Sequence, residues 1–508
     1  MSEYLIVEQV AKPVLNYAAM DSPVIYHNNK VVTLRELLLT VKIIADKIPS
    51  HQYLLNLYED RYYFLIGFLV ALKKQTICLF PSTVTPFVIT HLNQRYDDVI
   101  VLSEAQEMPP MEGDIQLFEL QEIVDEIDYC AENYTALSQL ITDIELQQIV
   151  AIIFTSGSTG HPQAYIKQWG DLLSSAECLT ARLFSHLETK NNSLQSLLAT
   201  VPVQHMYGLE VSIIVALQNG LLLHSNKPFF PQDIVQCLED LSHVAEQAGK
   251  YSETTIITTP LHLKACLKTA IKLPAVKQFI SATAPLEAEM AALCEEQYQA
   301  RVMEVFGCTE VGSIASRRTI NSEEWQVFDD IVLECIKVSN TLKGKQKDKQ
   351  DDEEIQVKTR RSIKQFIFND VIKLIDSQHF ILRGRKSDLI NIAGKRTSLS
   401  YLNYHLQSYE HISDGCFFQT EVNPKLVNES KHIRTEKKLL VFVVPASVSI
   451  NAVNGIDKKQ LVQDLRNYLK PLIESVFLPK KIIIIERLPR NATGKLPQSE
   501  LEQLFKNS

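Results

Sequence analysis

The chain has 508 residues and a formal net charge of -9, with 45% hydrophobic and 22% charged residues. This is the composition of a folded globular protein, and the length suffices for two or three domains. Lys and Arg are scattered along the chain, which argues against the basic surface of a protein that binds nucleic acid or an anionic membrane.

The first residues and the cysteines indicate a cytoplasmic protein. The segment MSEYLIVEQVAK lacks the basic region and apolar core of a signal peptide, and the longest apolar run, at 62–72, is much shorter than a bilayer span. The nine cysteines form no C-x-x-C pair, and an odd number does not suit a disulfide framework. We therefore expect a reducing compartment and no transmembrane segment.

Strand-like apolar runs alternate with helical patterns through most of the chain. The clearest runs are IVAIIF at 149–154, LLATVPV at 197–203, TTIITTP at 254–260 and AVKQFISAT at 275–283. Such an order predicts an α/β fold with largely parallel strands that are buried on both faces.

A glycine-rich loop, TSGSTGHP at 155–162, follows the first of these strands. Small residues let the backbone approach an anion, and hydroxyls add donors, so the loop suits a polyphosphate. An ordinary Ser/Gly turn is the alternative, and the chain has no Walker loop. The candidate phosphate-binding residues are Thr155, Ser156, Gly157, Ser158, Thr159 and Gly160.

TSGSTG followed by x-P resembles the phosphate loop of the adenylate-forming superfamily, which includes acyl-CoA and aryl-CoA synthetases, luciferases and peptide-synthetase adenylation domains. Other signatures of the superfamily follow in the same order across about 340 residues. The resemblance implies ATP and Mg²⁺ as cofactors. It also implies a large multi-layered α/β domain with mainly parallel sheets at 1–386, and a small mobile α+β domain at 387–508.

Two further motifs lie in the predicted large domain. PVQHMYG at 202–208 matches P-x-x-H-x-x-G, in which the resembled families place His205 at the mouth of the acyl pocket. A single His is more often an ordinary satisfied polar group. SATAPL at 281–286 resembles the turn whose backbone, here at Ala284 and Pro285, lies against adenine.

FGCTE at 306–310 matches the superfamily motif Y-G-x-T-E. In the family roles Phe306 stacks on adenine beside Gly307, Thr309 bonds the α-phosphate and Glu310 holds Mg²⁺, a cation that prefers hard oxygen ligands. Glu304 stands where the family needs an acceptor for the adenine amino group. Taken alone, Phe306 would more often be a core residue.

After residue 385 the pattern changes to a compact unit. Here we predict a helix near 399–409, a strand LLVFVVPA, a long helix at 458–476 and a strand within KKIIIIERLP. Such a series is enough for a small α+β domain. The preceding stretch KGKQKDKQDDEE, at 343–354, has no apolar period and is predicted to be a solvated loop.

The resemblance assigns nucleotide and hinge roles near this boundary. Asp370 takes the place of the acid that chelates the ribose hydroxyls, although the preceding Thr-Gly of the family motif is missing, and a surface Asp is the alternative. In GRKSDLINIAGKR, Arg385 would contact ribose and Ser387 would be the hinge. Gly394 would line the tunnel for the thiol, because a side chain there would block it.

The final signature is LPRNATGK at 488–495, which matches P-R-N-x-x-G-K. It makes Lys495 the residue that bridges the carboxylate and the α-phosphate. A carboxylate repels the phosphate that it attacks, so a fixed ammonium and Mg²⁺ would neutralise both reactants.

Two positions depart from the family pattern. Gln163 replaces the usual phosphate-side Lys, for which Lys167 is a candidate substitute, and Gln498 replaces an Arg that normally follows the catalytic Lys. Neither departure changes Lys495 or Glu310.

The predicted function is ATP-dependent activation of a fatty, aryl or other small carboxylic acid to acyl-AMP and pyrophosphate, followed by transfer to a thiol. A non-catalytic nucleotide- or acyl-binding relative, a luciferase-like oxidase and an adenylate-only donor are alternatives. An amino-acid substrate is another alternative. It would need an acidic residue near 202–208, where only Glu210 is available.

NLYEDRYYFLIGFLVAL and VPVQHMYGLE are similar to segments of acyl- or aryl-activating ligases of bacterial aryl polyene pigment clusters. This resemblance favours the phosphopantetheine of an acyl carrier protein as the thiol, with CoA as the alternative.

Overall fold

The protein is represented by a computed structural model. The structure describes residues 12–81, 86–104, 116–129, 143–156, 162–185, 192–337, 353–359, 366–368, 370–385, 389–392, 395–422, 436–446, 458–491, 494 and 496–506.

The chain folds into two compact units. The large unit contains Met1–Glu334, Val357–Phe366 and Ser377–His379, and the small unit contains Cys335–Gln356, Ile367–Asp376 and Phe380–Ser508. The sequence predicts that residues 387–508 move as a separate domain. The division into two compact units does not test this movement, so the boundary between 386 and 387 stays a prediction.

The strands are numbered in chain order. Up to residue 327 they are β1 (Lys12–Pro13), β2 (Pro23–His27), β3 (Lys30–Thr33), β4 (Tyr53–Asn56), β5 (Ile77–Phe80), β6 (Val99–Leu102), β7 (Gln116–Phe118), β8 (Asp143–Ile144), β9 (Ile149–Ser156), β10 (Pro162–Gln168), β11 (Ser193–Ala199), β12 (Leu222–His224), β13 (Tyr251–Thr258), β14 (Val276–Ser281), β15 (Arg301–Cys308), β16 (Gly312–Arg317) and β17 (Glu324–Val327). The later strands are β18 (Ile331–Lys337), β19 (Glu353–Thr359), β20 (Phe366–Ile367), β21 (Asp370–Leu374), β22 (His379–Arg385), β23 (Leu389–Ile392), β24 (Lys395–Ser398), β25 (Ile412–Val422), β26 (Glu436–Pro445) and β27 (Lys481–Ile484).

The helices are numbered in the same way. They are α1 (Leu34–Lys47), α2 (Arg61–Lys74), α3 (Pro86–Arg95), α4 (Leu120–Asp125), α5 (Trp169–Leu183), α6 (Met206–Gly208), α7 (Val215–Asn219), α8 (Pro231–Gln247), α9 (Pro260–Lys268), α10 (Ala288–Tyr298), α11 (Leu399–Gln407), α12 (Lys458–Leu469) and α13 (Gln498–Lys506). A π-helix, Leu209–Ile214, joins α6 to α7, and a short 3-10 helix spans Ser475–Phe477.

Two sheets form the framework of the large unit. One has the order β10-β9-β5-β4-β6-β7, and the other contains the series β17-β16-β15-β14-β13-β11-β12-β2-β3. The pairs β11/β13, β13/β14 and β14/β15 are parallel, as are β4/β5, β4/β6 and β5/β9. Parallel strands need crossover connections, and the helices of this unit supply them.

Alternating side chains bury both faces of each sheet. In β4, Leu54 belongs to a core shared with α1, α2, α5 and α7, whereas Leu55 packs toward α3. In β11, Leu197 joins the same central core, whereas Leu198 packs with α8, α9 and α10. The large unit is therefore layered, with helices between the two sheets and on their outer faces, as period-two alternation requires.

Helix α2 is buried on all sides within the central core. Residues Arg61 to Leu72 are all buried, because the segment is apolar around its whole circumference. Asp60 caps the N-terminus of the helix, because its carboxylate accepts hydrogen bonds from the backbone N–H groups of Tyr62 and Tyr63. Gly67 lets it approach β4, since a Cβ there would lie 2.7 Å from Asn56 Nδ2.

The small unit contains a mixed sheet of β25, β26 and β27, with β25/β26 antiparallel and β26/β27 parallel. Phe417 and Val441 pack with α11 and α12 on one face, and Phe418 and Phe442 pack with Leu501 of α13 on the other. The predicted helix at 458–476 ends earlier, at Leu469. Pro471 accounts for this, since a residue before proline is disfavoured in helical conformation.

Together these elements confirm the predicted α/β fold with large, mainly parallel sheets and a smaller α+β part. No helix within the described ranges is long and apolar enough to span a bilayer.

Candidate active site

Three of the predicted motifs, together with Thr259, lie at the ends of parallel strands of the longer sheet. The stretch at 200–208 follows β11, Thr259 follows β13, the bend at 282–286 follows β14, and the motif at 306–310 closes β15. Because parallel strands end at the same edge, these segments share the carboxyl edge of the sheet. This is where open α/β sheets bind their ligands.

The P-x-x-H-x-x-G segment is a tight turn that only glycine can close. A Cβ on Gly208 would lie 1.9 Å from the carbonyl oxygen of Pro202, well inside van der Waals contact. The Tyr207 hydroxyl donates to the carbonyl of Ile280 at 2.7 Å, which ties the turn to the end of β14. His205 is half-buried, and its carbonyl accepts from the N–H of Leu209.

The predicted adenine turn is an exposed bend beside β14. Ala284 and Pro285 are both exposed, and Thr283 has a φ of 77°, a left-handed conformation that is uncommon for a residue with a Cβ. The N–H of Leu286 donates to Glu304 Oε1 at 3.0 Å. The bend is therefore held in place by a carboxylate from the neighbouring strand.

Glu304 lies at the centre of a buried hydrogen-bond network and is 2% exposed. Besides the Leu286 N–H, it accepts from Arg317 Nε at 2.8 Å and from Thr319 Oγ1 at 2.9 Å. Arg317 Nη2 also lies 2.7 Å from Glu304 Oε2. Burial raises the pKa of Glu304, and Arg317 opposes this shift. The network shows what Glu304 does within the protein, and its contact with adenine stays a prediction.

Phe306 is half-buried and packs against Trp325, with ring centroids 5.6 Å apart and planes inclined by 58°. The Arg317 guanidinium covers the Trp325 ring, 4.5 Å from its centroid. The same arginine therefore supports both Glu304 and, through Trp325, the ring predicted to stack on adenine.

The turn between β15 and β16 carries Thr309 and Glu310, both half-buried. Its geometry requires two glycines. A Cβ on Gly307 would lie 2.4 Å from the carbonyl oxygen of Gly312, and Gly312 itself has a φ of 93°. We call residues 308–312 the Glu310 turn.

The glycine-rich loop connects two hydrogen-bonded antiparallel strands. Thr155 lies opposite Gln163, and Ser156 lies opposite Pro162, in the pair β9/β10. The loop is thus the connection of a hairpin, whereas the sequence placed it only after a strand. Gly157, Ser158, Thr159 and Gly160 lie outside the described residues.

The second strand of this hairpin contacts the Glu310 turn. The Tyr165 hydroxyl donates to Glu310 Oε1 at 2.9 Å, and Lys167 Nζ donates to the carbonyl oxygen of Glu310, also at 2.9 Å. Lys167 is 2% exposed, and burial lowers the pKa of its ammonium. The role of Lys167 toward a phosphate stays a prediction. Sequence reasoning missed Tyr165, since a Tyr in a strand is no signal of a site.

Glu210 contacts the Glu310 turn from the π-helix. Its Oε2 accepts from the N–H and the hydroxyl of Ser313, at 3.0 and 2.8 Å. Glu210 is 1% exposed, and its Oε1 is buried without a hydrogen-bond partner among the described residues. A Cβ on Gly312 would lie 2.3 Å from this oxygen.

The donors at this site suit Mg²⁺. Glu310 and Thr309 offer hard oxygen atoms, which Mg²⁺ prefers. Within the described ranges, no three His, Cys, Asp or Glu side chains are grouped as a metal site. A lone carboxylate fits a cation that takes its other ligands from water and substrate phosphates.

The small unit holds the remaining predicted residues. Asp370 lies directly opposite Arg385 in the antiparallel pair β21/β22, so two residues predicted to contact ribose are neighbours in register. Arg490 donates to both carboxylate oxygens of Asp414, and its Nη1 donates to the carbonyl of Gly494 at 2.8 Å. Lys495, Ser387 and Gly394 are outside the described ranges.

Known proteins resemble this chain in sequence and in fold. Residues 85–339, about half of the chain, match the family described as AMP-binding enzyme. The 4-coumarate–CoA ligase of Halorhodospira halophila is 24% identical over 363 residues, covering 71% of this chain and 78% of that protein. The 2-succinylbenzoate–CoA ligase of Listeria innocua serovar 6a is 21% identical over 384 residues, covering 72% of each.

Two solved structures share the fold. ATP-bound MatB from Rhodopseudomonas palustris aligns with a TM-score of 0.73 at 17% identity, covering 97% of each chain. The o-succinylbenzoate coenzyme A synthetase of Bacillus subtilis, in complex with ATP and magnesium, aligns with a TM-score of 0.71 at 15% identity, covering 96% of this chain and 97% of that one. With its motifs on the carboxyl edge of the sheet, the chain belongs to the AMP-binding enzyme family, which confirms the resemblance to adenylate-forming enzymes.

Proposed function

We propose that this chain uses ATP to activate a small carboxylic acid as acyl-AMP, with release of pyrophosphate, and then transfers the acyl group to a thiol. One observation carries the proposal: the bend at 282–286, the Glu310 turn and the P-x-x-H-x-x-G turn lie at the same edge of the longer sheet. Family membership supports it, as do the names of the relatives, two of which are acid–CoA ligases.

In this proposal the large unit binds the nucleotide. Phe306 stacks on adenine, supported by Trp325, while the bend at Ala284 and Pro285 covers the edge of the base. Thr309 donates to the α-phosphate, and the glycine-rich loop binds the other phosphates. Bound at Glu310, Mg²⁺ would neutralise charge on the triphosphate.

Lys495 would bring the second positive charge, which lets the carboxylate approach the α-phosphate. Arg490 supports this role, because it fixes Gly494, the residue directly before Lys495, to β25 through Asp414. In the small unit, Asp370 and Arg385 would contact ribose from adjacent strands. After pyrophosphate leaves, rotation at Ser387 would bring Gly394 to the acyl-AMP.

The contacts of Glu210 support a plain carboxylic acid as substrate. An amino-acid substrate would need a carboxylate that faces its ammonium group, but Glu210 is 1% exposed and binds Ser313 with Oε2. We propose a fatty, aryl or other small acid that enters past His205. The acceptor thiol is the phosphopantetheine of an acyl carrier protein, as the pigment-cluster resemblance favours, or CoA.

A two-stage assay tests the proposal. Acid-dependent ATP–pyrophosphate exchange is measured over a panel of aryl and aliphatic acids, and thioester formation is then measured with CoA and with a phosphopantetheinylated carrier protein. We expect exchange with at least one acid class. Its absence across the panel would favour a non-catalytic relative, whereas exchange without a thioester would favour an adenylate-only enzyme.

A Lys495→Ala variant identifies the reaction step. Exchange should fall on the order of 100-fold or more, because one fixed charge is lost from the transition state. Thioester formation from supplied acyl-AMP should continue. Lys506→Ala, at an exposed position of α13, is the matched control.

A further inference from the structure

We propose that Tyr165 is a positioning residue for the metal ligand Glu310, and that through it the phosphate-loop hairpin sets how well the site binds a divalent cation. The inference rests on the proposed function, since Glu310 is the proposed Mg²⁺ ligand. Tyr165 itself lies outside the motifs that carry the resemblance.

Two side chains of one strand bind both parts of Glu310. Residues 165 and 167 of β10 point to the same face, because side chains alternate along a strand. From that face, Tyr165 donates to the Glu310 carboxylate and Lys167 donates to its backbone carbonyl, each at 2.9 Å. The side chain and the main chain of the proposed ligand are therefore both fixed by the phosphate-loop hairpin.

Tyr165 also lies beside the beginning of the phosphate loop. In the pair β9/β10, Thr155, the first residue of TSGSTG, lies opposite Gln163, so Thr155 and Tyr165 are diagonal neighbours on one face of the hairpin. One face of the hairpin thus carries both Thr155, at the start of the loop, and Tyr165, which donates to Glu310. A shift of the hairpin on phosphate binding would move the donor that orients the carboxylate.

The chemistry of a phenol suits this positioning role. A phenol is protonated at neutral pH, so the Tyr165 hydroxyl is a donor to the Glu310 carboxylate. A neutral donor restricts the rotation of a carboxylate without cancelling its charge, and the carboxylate keeps lone pairs for a metal. A lysine in the same place would compete with the cation.

The opposite side of the turn is fixed independently. Glu210 holds Ser313 through its N–H and its hydroxyl, directly after the Glu310 turn. The backbone of the Glu310 turn is therefore held by hydrogen bonds from β10 on one side and from Glu210 on the other. The orientation of the Glu310 side chain then depends on the Tyr165 hydroxyl.

Tyr165→Phe tests the inference, because it removes only the hydroxyl. Binding of Mn²⁺ is measured by electron paramagnetic resonance in the presence of the unreactive analogue α,β-methylene-ATP. We expect the Kd of Mn²⁺ to rise about 5- to 10-fold, as for loss of one hydrogen bond of ordinary net strength. The Mg²⁺ concentration that gives half-maximal pyrophosphate exchange should rise by a similar factor, with the rate at saturating Mg²⁺ nearly unchanged.

Tyr17→Phe is the matched control, since the Tyr17 hydroxyl donates to the carbonyl of Leu221 at 3.2 Å and does not contact Glu310. It should leave both readouts at wild-type values. In a Glu310→Gln background, Tyr165→Phe should add little, because the charge that it orients is gone. Equal loss in both backgrounds would indicate a merely structural role for Tyr165.

The outcomes separate this inference from the proposed function. An unchanged Kd for Mn²⁺ in a folded Tyr165→Phe protein would overturn the inference, even if the enzyme is active. Absence of acid-dependent exchange in the wild type would overturn the proposed function, whereas Mn²⁺–nucleotide binding would still decide the role of Tyr165.

Discussion

Arg490 holds Asp414 with two parallel hydrogen bonds, each 2.7 Å long, from Nε to Oδ2 and from Nη2 to Oδ1. A third donor of the same guanidinium binds the carbonyl of Gly494, which has a φ of 78°. Only a planar group with several donors makes this set of contacts. The pair therefore fixes the backbone directly before Lys495.

Arg490→Lys should weaken adenylation through this backbone. Lysine keeps the charge but cannot bind both Asp414 oxygens and Gly494 together, so we expect pyrophosphate exchange to fall about tenfold. Thioester formation from supplied acyl-AMP should change little. Arg487→Lys, at an exposed position close by, serves as the control. Equal loss in both half-reactions would show that Arg490 supports the fold of the small unit generally.

Gly208→Ala should destabilise the large unit. The new Cβ would meet the Pro202 carbonyl oxygen at 1.9 Å, so the turn must open, at a cost of about 1–3 kcal/mol in the free energy of unfolding. Denaturant titration measures it. Gly249→Ala is a useful comparison, because a Cβ at position 249 would have open space around it. The φ of 66° is unfavourable for a residue with a Cβ, so this substitution should cost about 1 kcal/mol in the free energy of unfolding. A Gly208→Ala protein as stable as wild type would contradict the close contact.

His262 should make the fold less stable in mild acid. Its Nδ1 lies 2.9 Å from Thr259 Oγ1, and burial, together with Lys227, lowers the pKa of its imidazole to about 4. The neutral form is favoured in the folded state, so its contribution is complete above pH 6.5 and is lost as the pH falls toward 4.

The His262 contribution should fall by about 2 kcal/mol between pH 7 and pH 5. Denaturant titrations of wild type and His262→Gln at both values measure it. The difference in free energy of unfolding between the two proteins should shift by that amount in favour of the variant at pH 5. His243→Gln is the control, because His243 lies on the exposed side of α8. A difference that does not vary with pH would show that His262 titrates normally.

Ser387→Pro tests the predicted domain rotation. Proline fixes φ near -65° and removes an N–H, so one of the two domain orientations should become inaccessible. We expect pyrophosphate exchange and thioester formation to change unequally, with Ser387→Ala close to wild type. Wild-type rates for both half-reactions in a folded Ser387→Pro protein would place the hinge elsewhere.

The layered fold could be predicted from apolar runs, but strand ends could not. The strand predicted at 197–203 is Ser193–Ala199, because its first half contains polar residues that the structure satisfies. Ser196, for example, exchanges a hydrogen bond with Thr254 of β13 at 2.7 Å. A buried hydroxyl in a strand is tolerated when a neighbouring strand supplies its partner, and that partner is remote in sequence.

In the candidate site, too, local features could be predicted from the sequence and contacts between remote residues could not. The motif residues were predictable because each motif is local, and a tight turn with glycine leaves a pattern in the sequence. Arg317, Tyr165 and Ser313 were not, since each acts on a residue from a different segment. Tyr165 and Glu310 are 145 positions apart, and only the packing of β10 against the Glu310 turn brings them together.

The burial of α2 on every side has a consequence for how the chain folds. A helix that is apolar around its circumference has no face for water, so it gains stability only when both sheets and their connecting helices close around it. The large unit should therefore acquire its structure cooperatively. Before the core closes, the apolar segment from Tyr62 to Leu72 is exposed in the nascent chain and is prone to aggregate. Slower synthesis at low temperature should therefore raise the yield of native protein.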